Sequence, residues 1–131
     1  MNAPKDGSAV ITHVVAFRYK PEVTQQQRDD VLRRFLDLEH ECTREGRPYI
    51  VSLVGGDCTQ SAEKSTAGFE QVFVLTFRDR DDFAYYLGPP FASTFDHAHD
   101  AFKKFAIPLL SVDDDGSTNG AMVLDVEAPQ S

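Results

Sequence analysis

The chain has 131 residues and a formal charge of −8, with 21 acidic against 13 basic side chains and only two cysteines. That length fits one domain with a real hydrophobic core and makes two independent domains a poor reading. The acidic balance repels phosphate backbones and anionic lipid, and no Lys/Arg stripe offsets it locally, so neither nucleic acid nor a membrane is an expected partner. Cys42 and Cys58 lack CxxC spacing, which suits free thiols in a reducing compartment. Residues 1–8 read as a disordered polar tail without the apolar core of a signal peptide, and no later stretch reaches membrane-spanning length. The expectation is a soluble, cytoplasmic protein, with its domain over residues 9–127 and a short tail over 128–131.

The first element is the run Ala9-Val10-Ile11-Thr12-His13-Val14-Val15-Ala16-Phe17-Arg18-Tyr19-Lys20, a strand pattern holding one titratable residue among apolar neighbours. If Ile11, Val15 and Phe17 line one face, the two-residue period puts His13 on that face too, pointing into the core or a pocket. A side chain that ordinarily titrates near neutrality is there either a satisfied core residue or a working acid/base. Thr24 reads as an N-cap for a helix over 28–44, whose stripe is Val31, Leu32, Phe35, Leu38 and Cys42, ending near Gly46 ahead of Arg47-Pro48.

A second strand is expected over 49–54, stopped by Gly55-Gly56, then a surface loop over 57–68 rich in Ser, Thr, Lys and Gly. The third strand, 69–77, alternates Gln71, Phe73, Leu75 and Phe77 with Val72, Val74 and Thr76, so both of its faces need cover. A short helix runs from the charged 78–82 segment to Leu87 and is broken by Gly88-Pro89-Pro90; another is expected over 91–105. An acidic loop insertion over 111–120 precedes a last strand over 122–126. The order strand, helix, strand, strand, helix, strand is the split βαβ, ferredoxin-like α+β arrangement.

Three stretches now carry a resemblance: His13-Val14-Val15-Ala16-Phe17-Arg18-Tyr19-Lys20, the 77–87 strand-to-helix passage ending in Tyr-Leu-x-x-Pro, and the terminal Val-Leu-Asp-Val-Glu. Over roughly residues 10–127 the chain resembles the stress-responsive dimeric α/β-barrel family. The resemblance implies a protomer with a four-stranded antiparallel sheet, a homodimer in which two sheets pack into a barrel, and a small cavity between sheet and helices. Independently, Val14, Val72 and Val74 would be wet on a sheet covered by helices on one side only, and a second copy would cover them.

Some members are enzymes of specialised metabolism, and the olivetolic acid cyclase type of polyketide cyclase, which works without metal or organic cofactor, offers the nearest pattern. His13 and Tyr85 stand where those cyclases carry a strand-one His and a helix-two Tyr. Phe91 and Gln71 stand where they carry His, and Phe35 where they carry a pocket Tyr; the Phe91 position is that of the catalytic base.

The site these residues imply has His13 shuttling a proton and Tyr85 polarising an oxygen as catalytic pair. Tyr85 and Tyr86 point about a hundred degrees apart on a helix, so at most one faces the pocket. Val15, Phe17, Phe35, Gln71, Phe73, Leu75, Phe91 and His99 are the expected substrate-contacting residues. In Asp96-His97-Ala98-His99-Asp100, one-turn spacing would let a divalent ion bind or let His97 or His99 replace the missing base, against the blander reading of a solvated helix face. Asp113-Asp114-Asp115-Gly116 resembles a calcium loop only superficially, because the downstream bidentate Glu is absent. No phosphate loop, nucleophile elbow or Cys/His metal spacing occurs.

The expectation is therefore a cofactor-independent and metal-free homodimer acting on a small hydrophobic, polyketide-like or terpenoid-like molecule by cyclisation, dehydration or isomerisation. The competing reading is a non-catalytic, stress-responsive or ligand-binding barrel whose His13 merely satisfies a hydrogen bond.

Overall fold

Alternation in Ile11–Phe17 (β1) buries Ile11, His13, Val15 and Phe17 on one side, while Thr12 and Val14 stay half-buried on the other beside the buried Ala16. A computed structural model describes residues 10–59 and 66–128. The expected tail over 1–8, residues 129–131 of the expected 128–131 tail, and positions 60–65 of the 57–68 loop lie outside the described residues.

Helix α1 spans Gln25–Glu41. Thr24 caps it reciprocally: its hydroxyl accepts from the Gln27 amide at 3.1 Å and its own amide donates to Gln27 Oε1 at 2.8 Å. Two first-turn donors are thereby satisfied. The helix stops short of the expected Arg44, because Thr43–Arg44 (β2) and Arg47–Pro48 (β3) pair as a small hairpin. Its turn residues Glu45 and Gly46 have φ of 55° and 79°, the left-handed pair a type I′ turn requires.

Strand β4, Ile50–Asp57, continues through the two glycines that were expected to end it. A Cβ on Gly55 would sit 2.5 Å from Phe73 Cδ1 and 2.9 Å from the Val72 carbonyl oxygen. The missing side chain is what lets the Phe73 ring lie across the strand. Gln71–Phe77 (β5) follows, then α2, Arg80–Leu87, capped by Asp79.

The second helix of this half also differs from expectation. It is α3, His97–Ala106, and residues 91–96 form turns rather than its first coils. Asp96 takes the N-cap, its Oδ1 accepting from the Ala98 amide at 2.9 Å, which fixes where helical geometry can begin. A 3-10 turn over Ile107–Leu109 leads to the last strand, Ala121–Glu127 (β6).

The sheet order is β4-β5-β1-β6, antiparallel throughout, the ferredoxin-like order expected from the split βαβ pattern. The core lies on the helix side: Phe35 of α1 stacks on Phe73 at 3.9 Å and meets Phe102 of α3 at 4.8 Å. The opposite face has no cover in the protomer. Val54, Leu124 and Val126 there are 62%, 56% and 54% exposed, and Val14 sits in register between Val74 and Leu124.

Gly120 sets the entry to β6. Its carbonyl accepts from the Arg18 amide at 2.7 Å, and a Cβ there would meet the Arg18 carbonyl oxygen and, at 2.5 Å, the Ser111 nitrogen. Both are backbone atoms and cannot swing aside. Gly120→Ala should therefore cost about 2 kcal/mol by overpacking; urea unfolding checks this, and an unchanged midpoint contradicts the close approach.

Candidate functional site

Helix α1 packs over β4 and against α3, so β1 is buried on the helix side while the edge strand β6 stays exposed. A chamber of about 370 Å³ opens there, within the ~300–1,000 Å³ range of small-molecule sites. Its walls are mostly apolar: Val15 and Phe17 from β1, Phe35, Phe102 and Leu110 around them. Phe91, Ile107 and Val123, all strongly exposed, form an apolar mouth. A larger recess of about 520 Å³ lies beside the β2–β3 hairpin. Its Arg44 is bound to Asp81 and Asp82 at 2.8 Å each and its Arg78 to Asp82 at 3.1 Å, so those charges are engaged with one another.

The chamber holds His13. The antiparallel register sets it opposite Asp125 of β6, and His13 Nδ1 lies 2.5 Å from Asp125 Oδ1. An ionised carboxylate can only accept, so Nδ1 carries the hydrogen and Nε2 is left for the chamber. His13 is 5% exposed, and its ring packs at 5.1 Å against Phe83 and 6.0 Å against Tyr86. The Asp125 side chain, at 42%, is the wetter partner at the rim. Sequence reasoning missed Asp125. Its signal was a lone acid inside Val-Leu-Asp-Val, legible only once the register of β6 against β1 is known.

His99 is the second imidazole of the chamber, on the first turn of α3. Its Nδ1 lies 2.6 Å from the Tyr86 carbonyl oxygen and its ring stacks on Tyr86 at 3.6 Å. Burial, the largest cause, lowers its pKa to about 4; the nearby Lys103 and His13 push the same way, while the Tyr86 carbonyl and Asp96 oppose them. The sign of the stability effect follows. An unfolded chain takes up the proton near 6.5 and the folded one near 4, so stability present above pH 6.5 is withdrawn as the pH falls towards 4. The loss should be roughly 3 kcal/mol. Urea unfolding of the parent and of His99→Phe between pH 7 and pH 4 measures it, and parallel curves would contradict it.

Of the other expected site residues, Val15, Phe17, Phe35 and Phe91 line the chamber with His13 and His99. Gln71, Phe73 and Leu75 do not. They share the helix-side face, but on β5, where the packed core fills the space. Gln71 accepts from the Tyr19 hydroxyl and donates to the Arg28 carbonyl at 3.0 Å, and Phe73 and Leu75 are fully buried.

Tyr85 also lies outside. It packs edge-on against Tyr49 at 5.5 Å and under the Arg44 guanidinium at 4.9 Å. Tyr86 takes the place in the chamber wall, because α2 starts after Asp79 and buries Asp82 and Tyr86, one turn apart. The Tyr86 hydroxyl is buried without a partner among the described residues, and burial pushes its pKa well above the usual phenol range.

The 96–100 cluster splits apart. Asp96 caps α3 and accepts from the Tyr49 hydroxyl at 2.6 Å, His97 is exposed against Phe95, and Asp100 pairs with Lys104 at 3.1 Å. Among the described residues no group of three or more His, Cys, Asp or Glu side chains converges as a metal site would need. Cys42 is buried and Cys58 partly so, both unpaired, with burial raising each thiol's pKa. No described helix is long and apolar enough to cross a membrane.

A four-stranded antiparallel sheet in the split βαβ order, with helices on one face and a chamber at its open flank, defines a ferredoxin-like α+β protomer. The chain belongs to the stress responsive A/B barrel domain family, whose profile matches residues 11–127. No curated protein matches it significantly. Among solved structures it is similar to the hydroxynitrile lyase of Passiflora edulis, with a TM-score of 0.69 and 19% identity over 95% of this chain and 97% of that one. A protein from Arabidopsis thaliana aligns with a TM-score of 0.65 and 18% identity, over 92% and 97% of the two chains. A dimeric ferredoxin-like protein of unknown function from Thermobifida fusca aligns with a TM-score of 0.63 and 16% identity, over 93% of each. At these identities the likeness is one of fold.

Proposed function

We propose that the chain is a cofactor-independent acid/base enzyme acting on a small hydrophobic, oxygenated molecule of polyketide or terpenoid character, with His13 moving the proton. The carrying observation is the His13–Asp125 pair: an imidazole in an apolar chamber, its Nδ1 held at 2.5 Å by a carboxylate, its Nε2 without a hydrogen-bond partner among the described residues. Such an arrangement fixes one tautomer and aims one nitrogen, which is what removing a proton beside a carbonyl, or returning it, requires. Asp125 gives a proton arriving at Nε2 a counter-charge. Cyclisation, dehydration and isomerisation all share that step. Tyr85 has no part in it, being turned towards Tyr49 and Arg44. A lyase on this fold has precedent in the Passiflora edulis protein.

The working form in this reading is a homodimer closed over the apolar outer face of the sheet; several structures of this fold are described as dimeric. The experiment is hydrogen–deuterium exchange at carbon. The protein is incubated in D2O with small aryl ketones and 1,3-diketones, and loss of the proton signal beside the carbonyl is followed by NMR. Exchange that depends on His13 supports the reading. A chamber that binds these ketones with no exchange above buffer sinks it in favour of a ligand-binding barrel.

A further inference from the structure

His99 does something different from His13. A carbonyl oxygen accepts and never donates, so the 2.6 Å contact with the Tyr86 carbonyl obliges His99 Nδ1 to carry the ring's hydrogen. A neutral imidazole with Nδ1 protonated presents a bare lone pair at Nε2. Among the described residues that atom has no hydrogen-bond partner, and the Tyr86 hydroxyl is the one side-chain polar atom there that is fully sealed and unpaired, so Nε2 keeps access to open space. The open space His99 lines is the chamber. Stacking on Tyr86, with an interplanar tilt of 12°, holds the plane of the ring, and a flip within that plane would forfeit the Nδ1 contact with the Tyr86 carbonyl.

The structure assigns His99 Nε2 as a fixed hydrogen-bond acceptor that selects a hydroxyl-bearing ligand, an alcohol, phenol or enol, over the matching ether or ketone. A ligand carbonyl or ether oxygen at that spot meets a lone pair with a lone pair and leaves both unpaired; a hydroxyl donates and satisfies both. Because burial keeps the ring neutral through the physiological range, His99 does not turn into a donor there. His13 and His99 thus divide the work: one moves a proton, the other reads which oxygen carries one. The inference rests on the chamber being the small-molecule site of the proposed function.

Two measurements test it on the unaltered protein. A long-range proton–nitrogen correlation spectrum at pH 7 should show a protonated Nδ1 and an unprotonated Nε2 for His99; the opposite tautomer overturns the assignment. NMR titration with phenol and with anisole, which differ only in whether the oxygen carries a hydrogen, should show phenol bound about five- to tenfold tighter. His99→Phe keeps the stack on Tyr86 and removes the acceptor, and should bring that ratio close to one. Phenol and anisole binding alike to the parent overturn the inference, as does phenol that leaves the chamber resonances unmoved at millimolar concentration. His13→Gln separates the two proposals, since it should slow exchange by about 10²–10⁴-fold while the phenol preference persists. Absent exchange in the parent with the preference intact retires only the acid/base reading.

Discussion

His13→Gln should lower the rate of carbon-bound proton exchange by about 10²–10⁴-fold, the span over which a positioned proton-transfer group acts. Glutamine keeps roughly the length and the polarity of the side chain but cannot take up and release a proton at ordinary pH. The protein should stay folded, because the replacement can still reach Asp125 at the wet rim of the chamber. Asp125→Asn should give a smaller loss: its amide oxygen can still accept from Nδ1, but the counter-charge is gone. Tyr85→Phe should change the rate less than twofold, since that ring sits between Tyr49 and Arg44. Steady-state exchange rates checked against circular dichroism decide the matter. Parent-like exchange in a folded His13→Gln would remove the imidazole from the mechanism.

Leu124→Lys should convert the proposed dimer to monomers at micromolar concentration. Leu124 is 56% exposed on the protomer and sits beside Val14 on the open face of the sheet, so a lysine there is harmless to the single subunit. In a closed dimer each copy would bury an ammonium against apolar neighbours, and a two-fold interface counts the change twice. Desolvating each charge costs several kcal/mol, so the dissociation constant should rise by at least about a hundredfold. Sedimentation velocity reads this directly. A parent protein that sediments as a stable single subunit, its valines wet, would contradict the homodimer outright.

Much of the fold was legible because it is written in local periodicity. The alternation in β1 and β5, the Thr24 cap and the apolar stripe of α1 need only neighbouring residues to be read. The errors fell where a distant partner decides. Residues 43–48 look like the end of a helix until Glu45 and Gly46 are seen in left-handed geometry. Gly55 looks like a terminator, yet its bareness accommodates the ring of Phe73 from the next strand. In residues 91–96 the phenylalanines suggested a helix, whereas Asp96 holds the cap.

The candidate site shows the same division. His13 could be aimed from its own strand, but Asp125 lies 112 positions away and joins it only through sheet register. Tyr85 was favoured over Tyr86 by resemblance, while the phase of α2, set by Asp79, turns Tyr86 inward. Gln71, Phe73 and Leu75 have the right face but the wrong strand, a distinction of position across the sheet that alternation alone does not carry.

Strand β6 bears two kinds of duty on alternate residues: Val123 and Asp125 look into the chamber, while Met122, Leu124 and Val126 look the other way. Adding one residue just ahead of Ala121 would slide this edge by a single step and exchange the two sets. A leucine would then crowd His13 and an acid would stand where grease is wanted, so one frameshift-free insertion would abolish the proposed chemistry and the proposed assembly together. Length between Gly120 and Glu127 should accordingly tolerate no single-residue change.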